Sequence, residues 1–451
     1  MKILMLSWEF PPKVVGGIAP HVHDLALALV KKGEEVSVLT IGTQDAQETE
    51  ELKGINVYRV KPSNPHPPDF ISWVLQFNLN LVEKAMALFR AGEEFEVIHA
   101  HDWLVAYAGK LLKHAWNKPL VATIHATEWG RNNGLHNDLQ RYISDVEWWL
   151  GYEAWRVICC SRYMLNELHR IFQIPRDKLE IIPNGVYPEI FKKTPKNAME
   201  IRNRFAAHDE KVVFYVGRIV REKGLDLLLE AAVKILKVDN KVKFVIAGKG
   251  PYAEHLQNKA QSLGIYQRIY FTGYIDDLTR NALLSTADVA VFPSLYEPFG
   301  IVALEAMAAG APVVVTDTGG LGEVVQHGKN GLKAFANNPN SLADNIVWML
   351  HYPDHAKAMR EQAYRDLEEE YDWEKIAGET IRVYQEVYSE FLESYFYQPG
   401  KEETHKTTAT SKINSFKETP VSYNRYTPVE TAGSKTEYQI LSAGDQLLTE
   451  E

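Results

Sequence analysis

Short, continuous apolar runs alternate with longer segments of helical period along most of the chain. Lys2 to Trp8 reads as a strand, His21 to Lys32 as a helix stopped by Gly33, and Glu35 to Thr40 and Val57 to Val60 as further strands. A proline-rich loop, Lys61 to Pro68, precedes an apolar-striped helix over Asp69 to Arg90. Glu96 to His101 predicts a strand, Leu104 to Trp116 a helix and Leu120 to His125 a strand. A tryptophan-heavy helix runs through Trp155, and Val157 to Cys160 and Leu179 to Ile182 are two more strands. Pro183-Asn184-Gly185-Val186, Pro188 and the lysines of 192–196 predict a linker. The pattern then restarts, with strands at Val212 to Gly217, Lys243 to Ala247, Ile269 to Thr272, Val289 to Phe292 and Val313 to Val315. Helices are expected at Gly224 to Val238, Tyr252 to Leu263, Ile301 to Ala309, Asp354 to Glu370 and Trp373 to Tyr395.

Uninterrupted apolar strands separated by helices predict parallel sheets covered on both faces. The expected fold is α/β, with two facing doubly wound, Rossmann-like domains and a cleft at the carboxyl ends of their strands. The expected divisions are residues 1–190, residues 191–372, a closing helix over 373–397 packing back towards the first domain, and a tail, 398–451. Lys, Glu, Thr and Ser dominate that tail, which predicts disorder. A length of 451 residues agrees with more than one core.

The net charge of −10 argues against a dedicated nucleic-acid binder. No run reaches the length of a membrane span, and the apolar start lacks the features of a signal peptide. Cys159 and Cys160 are adjacent in a strand and so face opposite ways, which suits two core residues in a reducing compartment. A cytoplasmic location is the expectation. No His, Cys or carboxylate set shows metal-ligand spacing, and Asp276-Asp277 reads as a helix start.

The candidate chemistry centres on Ser294-Leu-Tyr-Glu297-Pro-Phe-Gly-Ile-Val-Ala-Leu-Glu305. Glu297 precedes a proline and is pushed out of the helical region, so a loop through Gly300 should open the helix that follows. That helix offers free N–H groups and a positive dipole end to an anionic ligand, with Glu297 before it and Glu305 within it. The alternative is two solvated surface glutamates. Gly16-Gly17, between the first strand and helix, would let a ligand approach the backbone, or would simply make a tight turn. Arg218 and Lys223, at a strand's carboxyl end, would place two cations in the cleft, suited to a leaving group that gains negative charge.

These residues resemble the retaining family 4 glycosyltransferases of the two-domain GT-B fold, and within them the glycogen/starch synthase-like members. The resemblance rests on Glu297-x7-Glu305 with Pro298-Phe-Gly300, Phe292-Pro-Ser294, Gly319-Gly320-Leu-Gly-Glu323, Glu9-Phe-Pro-Pro-Lys13-Val-Val-Gly16-Gly17 and His99-Ala-His101-Asp102-Trp103. It covers about residues 1 to 395.

The resemblance implies transfer of a glucosyl unit from ADP- or UDP-glucose to an α-1,4-glucan, with a lipid, small sugar or cell-surface polysaccharide as the alternative acceptor. It implies donor contacts from Gly16, Gly17, Arg218, Lys223, Glu297, Phe299, Gly300, Ile301 and Glu305, and a role at the transferred sugar for His125. Glu9, Lys13, Asp102, Trp103 and Asn184 would stand on the acceptor side. Asp102 and Trp103 have a plain alternative as helix cap and core residue, Asn184 as a turn residue, and His125 as a structural one. The expected partners are a nucleotide sugar and a glycan, with no cofactor, no metal and no nucleic acid. Retention would proceed by internal return, the leaving phosphate deprotonating the acceptor, with no enzymic nucleophile.

Overall fold

The computed structural model describes residues 1–394 apart from 45, 65, 193 and 194. The tail from 398, the end of the expected closing helix and part of the lysine-rich turn lie outside the described residues.

Two sheets carry the architecture. The first joins β1 (Lys2–Leu6), β2 (Glu35–Ile41), β3 (Thr49–Leu52), β4 (Ile55–Val60), β5 (Val97–His101), β6 (Leu120–Thr123), β7 (Arg156–Cys159) and β8 (Leu179–Ile181), in the order 3-4-2-1-5-6-7-8. The second joins β9 (Lys211–Val216), β10 (Val242–Ala247), β11 (Ile269–Gly273), β12 (Val289–Phe292), β13 (Val313–Thr316) and β14 (Leu332–Ala334), in the order 11-10-9-12-13-14. Each order reverses beside its first strand, the position at which doubly wound folds open a ligand crevice. β5, β6, β12 and β13 are buried along their whole length and β1 and β9 along all but their ends, which is why they read as apolar runs.

Every pairing between these strands is parallel except β3 with β4. That edge hairpin was not expected, because Thr-Glu-Glu-Leu has no apolar run. It turns at Lys53 and Gly54, both at positive φ, as a two-residue hairpin requires. The short β14 and the helix Pro339–His351 were likewise absent from the sequence reading.

Two shifts matter for the site. The first helix begins at Ile18 and not at His21, because Pro20 is tolerated within a first turn. β6 stops at Thr123, so His125 lies in the loop beyond it.

The chain returns to the first sheet at its end. The helix Trp373–Glu393 packs on the helix Ile18–Lys31 and places Trp373, Ile376, Val383, Tyr384 and Val387 in one apolar cluster with Ile3, Met5 and Val22. Tyr384 Oη lies 2.6 Å from His99 Nδ1 on β5. The helix just before it, Pro353–Glu370, packs instead on the helix Ile301–Ala308 of the second domain.

Candidate active site

The loop between β12 and the helix Ile301–Ala308 is built around backbone that only glycine can supply. Gly300 has φ of 108°, and a Cβ there would fall 2.5 Å from Leu321 Cδ2. A Cβ on Gly319 would fall 2.1 Å from the Glu297 carbonyl oxygen, which accepts the Gly320 N–H at 2.8 Å. Gly319-Gly320 thus clasps the loop from behind and fixes the direction of Glu297.

Glu297 is 8% exposed, and its Oε2 accepts from Lys223 Nζ at 2.7 Å and Ser294 Oγ at 3.1 Å. Lys223 closes a 3-10 turn, Arg221–Lys223, after β9. The Glu222 carbonyl in that turn accepts the Leu295 N–H at 2.8 Å, which binds the lysine-bearing turn to the glutamate-bearing loop. Arg218 makes only a loose 3.4 Å pair with Glu222 and keeps 39% of its side chain exposed. The site therefore holds one cation committed to Glu297 and one only loosely held and partly exposed.

The first domain faces this loop with its own glycines. A Cβ on Gly17 would stand 3.4 Å from Ile301 Cδ1, so the Gly16-Gly17 loop and the start of the helix Ile301–Ala308 meet across the cleft. No side chain caps that helix start. Glu305 is half-buried, and burial raises its carboxyl against the pull of Arg280.

Glu9 sits beneath the glycine loop, 1% exposed, and its Oε2 accepts from Val15 N at 2.5 Å and Gly16 N at 3.0 Å. Burial pushes its carboxyl upward, against those two amides and the more distant Arg218 charge. Its Oε1 is buried without a hydrogen-bond partner among the described residues. Glu9 is thus a brace for the loop and not an exposed acceptor contact, and the Gly16 amide is already engaged.

Four imidazoles line the floor on the first-domain side. His99 lies tilted against His101 at 4.1 Å between centroids, and both of its nitrogens are engaged, by Tyr384 Oη and by Thr123 Oγ1 at 2.7 Å. His101 Nδ1 lies 3.3 Å from His125 Nε2, and His21 stands edge-on to His125 at 4.6 Å. Burial holds His21, His99 and His101 well below the usual imidazole range, and pushes His125 down to about 3. Uncharged rings keep lone pairs available. His21, His101 and His125 each offer a nitrogen within 4.8 Å of the others, so the fold gathers a three-imidazole set that no sequence spacing announced.

The geometry can be compared with known proteins. Residues 198–366 match the family model "Glycosyl transferases group 1" and residues 15–190 match "Glycosyltransferase Family 4". An uncharacterized glycosyltransferase of Methanocaldococcus jannaschii is 40% identical over 85% of this chain and 98% of its own. A glycogen synthase of Mycobacterium tuberculosis is 34% identical over 85% of this chain and 94% of its own. The chain is a GT-B glycosyltransferase of family 4. Among solved structures, a sucrose-phosphate synthase from Thermosynechococcus elongatus superposes with a TM-score of 0.74 at 25% identity, covering 86% of this chain and 99% of that one.

Within this glycosyltransferase, Lys223 pairs with Glu297, Arg218 with Glu222 on the same turn, and Gly17 meets Ile301, while the His125 loop reaches the Glu297 loop through Thr127 and Tyr296. Besides Glu9, three expectations change. Trp103 is 7% exposed, with its ring in the core against Phe70, so it offers no open face to a sugar. Asp102 caps nothing with its side chain. Held at φ of 63°, it instead accepts the His125 N–H at 2.8 Å, and burial pushes its carboxyl up to about 6. Phe299 is 5% exposed and turns its ring inward against Tyr371 at 6.0 Å, so it offers no open face to a ligand. Asn184 is 3% exposed, and its Oδ1 has no hydrogen-bond partner among the described residues. Lys13 lines a cavity of about 320 Å³ with Lys61, Asn64 and Trp73.

The sequence reading named Ser294, which holds Glu297, only as part of a motif, and gave no role to Glu222, which joins the two cations to the loop. It quoted Gly319-Gly320 without assigning a task. Ser294 and Gly319-Gly320 were marked by the motifs they belong to, and Glu222 by its place between Arg218 and Lys223 in the chain.

Proposed function

We propose that this glycosyltransferase moves a glucosyl unit, with retention, from ADP- or UDP-glucose to an α-1,4-glucan. The observation that carries the reading is the Lys223–Glu297 pair at 2.7 Å, set beside an uncapped helix start and facing the glycine loop. The helix start and Arg218 would receive the diphosphate, while Lys223 adds a fixed positive charge as the glycosidic bond breaks. Glu297 would hold sugar hydroxyls and steady the oxocarbenium-like charge, and Glu305 would take the ribose.

His125 would meet the sugar on the opposite side. Its backbone is the part the structure positions most firmly, because Asp102 fixes its N–H. The leaving phosphate would deprotonate the acceptor on the same face, which needs neither an enzymic nucleophile nor a metal ion at the diphosphate. The 34% identity to a glycogen synthase supports glucan as the acceptor.

A small anionic acceptor is the second reading, favoured by the Lys13–Lys61 cavity. The test is a panel of ADP-glucose, UDP-glucose, GDP-mannose and UDP-N-acetylglucosamine, each with and without glycogen. Glucose entering glycogen supports the first reading. Donor cleavage without glycogen growth moves the acceptor to a small molecule or lipid, and no donor turnover at all removes both readings.

A further inference from the structure

One buried carboxylate touches the supports of both sugar-facing loops, although neither sequence nor resemblance singles it out. Glu167 lies on the helix Arg162–Phe172 of the first domain and is 3% exposed. Its Oε1 accepts from Thr127 Oγ1 at 2.6 Å and from Tyr296 Oη at 2.8 Å, and its Oε2 accepts from Tyr163 Oη at 2.9 Å. Thr127 is two residues beyond His125, and Tyr296 immediately precedes Glu297 on the second domain. Tyr296 Oη also accepts the Thr127 N–H at 3.2 Å, which closes the triangle.

The packing leaves this arrangement little freedom. Thr127 is fully buried and Tyr296 is 7% exposed, while a Cβ on neighbouring Gly130 would fall 2.4 Å from the Tyr296 ring and 2.6 Å from Glu167 Oε1. A carboxylate accepting three hydroxyls in such a site makes strong, directional bonds, and losing it strands every donor. Other bonds cross between the domains nearby: Ser161 Oγ donates to the Pro298 carbonyl at 2.7 Å, and the Arg162 and Tyr163 amides donate to the Glu323 carboxylate at 2.9 and 2.6 Å. Those hold the domains together but do not reach the His125 loop.

We infer that Glu167 is a positioning residue that ties the His125 loop to the Glu297 loop, so that the two sides of the sugar site are set by one carboxylate. It touches no substrate. It fixes the spacing between two groups contributed by different domains, which is where sub-ångström placement governs rate. The inference rests on the reading that His125 and Glu297 face the transferred sugar.

The test compares the full chain with Glu167→Gln, Tyr296→Phe and Glu323→Gln by hydrogen–deuterium exchange, which needs no donor. Glu167→Gln keeps the side-chain shape and should speed exchange in both 125–130 and 294–300, by about tenfold or more. Tyr296→Phe removes one hydroxyl without opening space and should loosen the same two segments. Glu323→Gln should leave 125–130 unchanged. Unchanged exchange in either segment for both Glu167→Gln and Tyr296→Phe overturns the inference.

With a donor that turns over, Glu167→Gln should lower kcat by roughly 10²-fold while the donor KM stays within about threefold. A rise in KM alone would overturn the positioning role. If no donor turns over, the functional reading fails, and the exchange result still decides the coupling.

Discussion

At the scale of single residues, Lys223 and Glu297 are coupled, and their variants should show it. Lys223→Met should cut kcat by about 10²–10³-fold, the usual cost of one preorganised charge. The double variant with Glu297→Gln should fall far short of the product of the two singles, since each side chain is the other's partner at 2.7 Å. Multiplicative losses measured in such a cycle would show that the pair does not act as a unit.

Glu9 makes a second prediction, in pH. Burial sets its folded pKa above its unfolded one, so its contribution to stability is greatest below about pH 4.3 and is lost as pH rises through the folded value. Glu9→Gln removes that loss. Thermal melts should show the variant gaining on the parent as pH rises from about 4 to neutrality, and a gap independent of pH would contradict the assignment.

At the scale of elements, the decisive one is the loop between β12 and the helix Ile301–Ala308. Its sequence predicts a proline-limited turn, but its shape depends on contacts far along the chain, at Leu321 and at Gly319-Gly320. Gly300→Ala combines positive φ with a contact at 2.5 Å and should cost about 1–3 kcal/mol in urea unfolding, with a larger loss of donor turnover. Turnover falling only in proportion to stability would mean that the loop's direction is not what matters. The stop of β6 at Thr123 is the matching detail opposite. It frees the His125 amide from the ladder, so that the Asp102 carboxylate can hold it.

At the scale of the whole molecule, the helix Trp373–Glu393 follows the second domain in sequence and belongs to the first in packing. Trp373 is 1% exposed, and a Cβ on Gly185 would fall 2.7 Å from its ring. Trp373→Ala should cost about 3–5 kcal/mol and broaden the melt, because it uncouples the returning helix from the crossover near Asn184. An unchanged melting temperature would show that the helix is not needed to hold the first domain.

Much of this was legible in the chain itself. Continuous apolar runs such as Val289 to Phe292 and Val313 to Val315 specify central parallel strands, because a strand buried on both faces tolerates nothing else. The Glu297-Pro298 step and Gly300 marked the loop, and Gly16-Gly17 marked its counterpart, because proline and glycine leave local signatures that need no partner.

What stayed hidden depends on which side chains meet. The edge strand β3 has no apolar signal. Trp103 read equally as a sugar platform or a core residue, and only packing against Phe70 decided it. The imidazole set of His21, His101 and His125, and the Glu167 triangle, join residues from separate segments of the chain. Local sequence fixes φ, ψ and the facing of apolar residues, whereas the direction and partners of a buried polar group are set only once distant segments close around it.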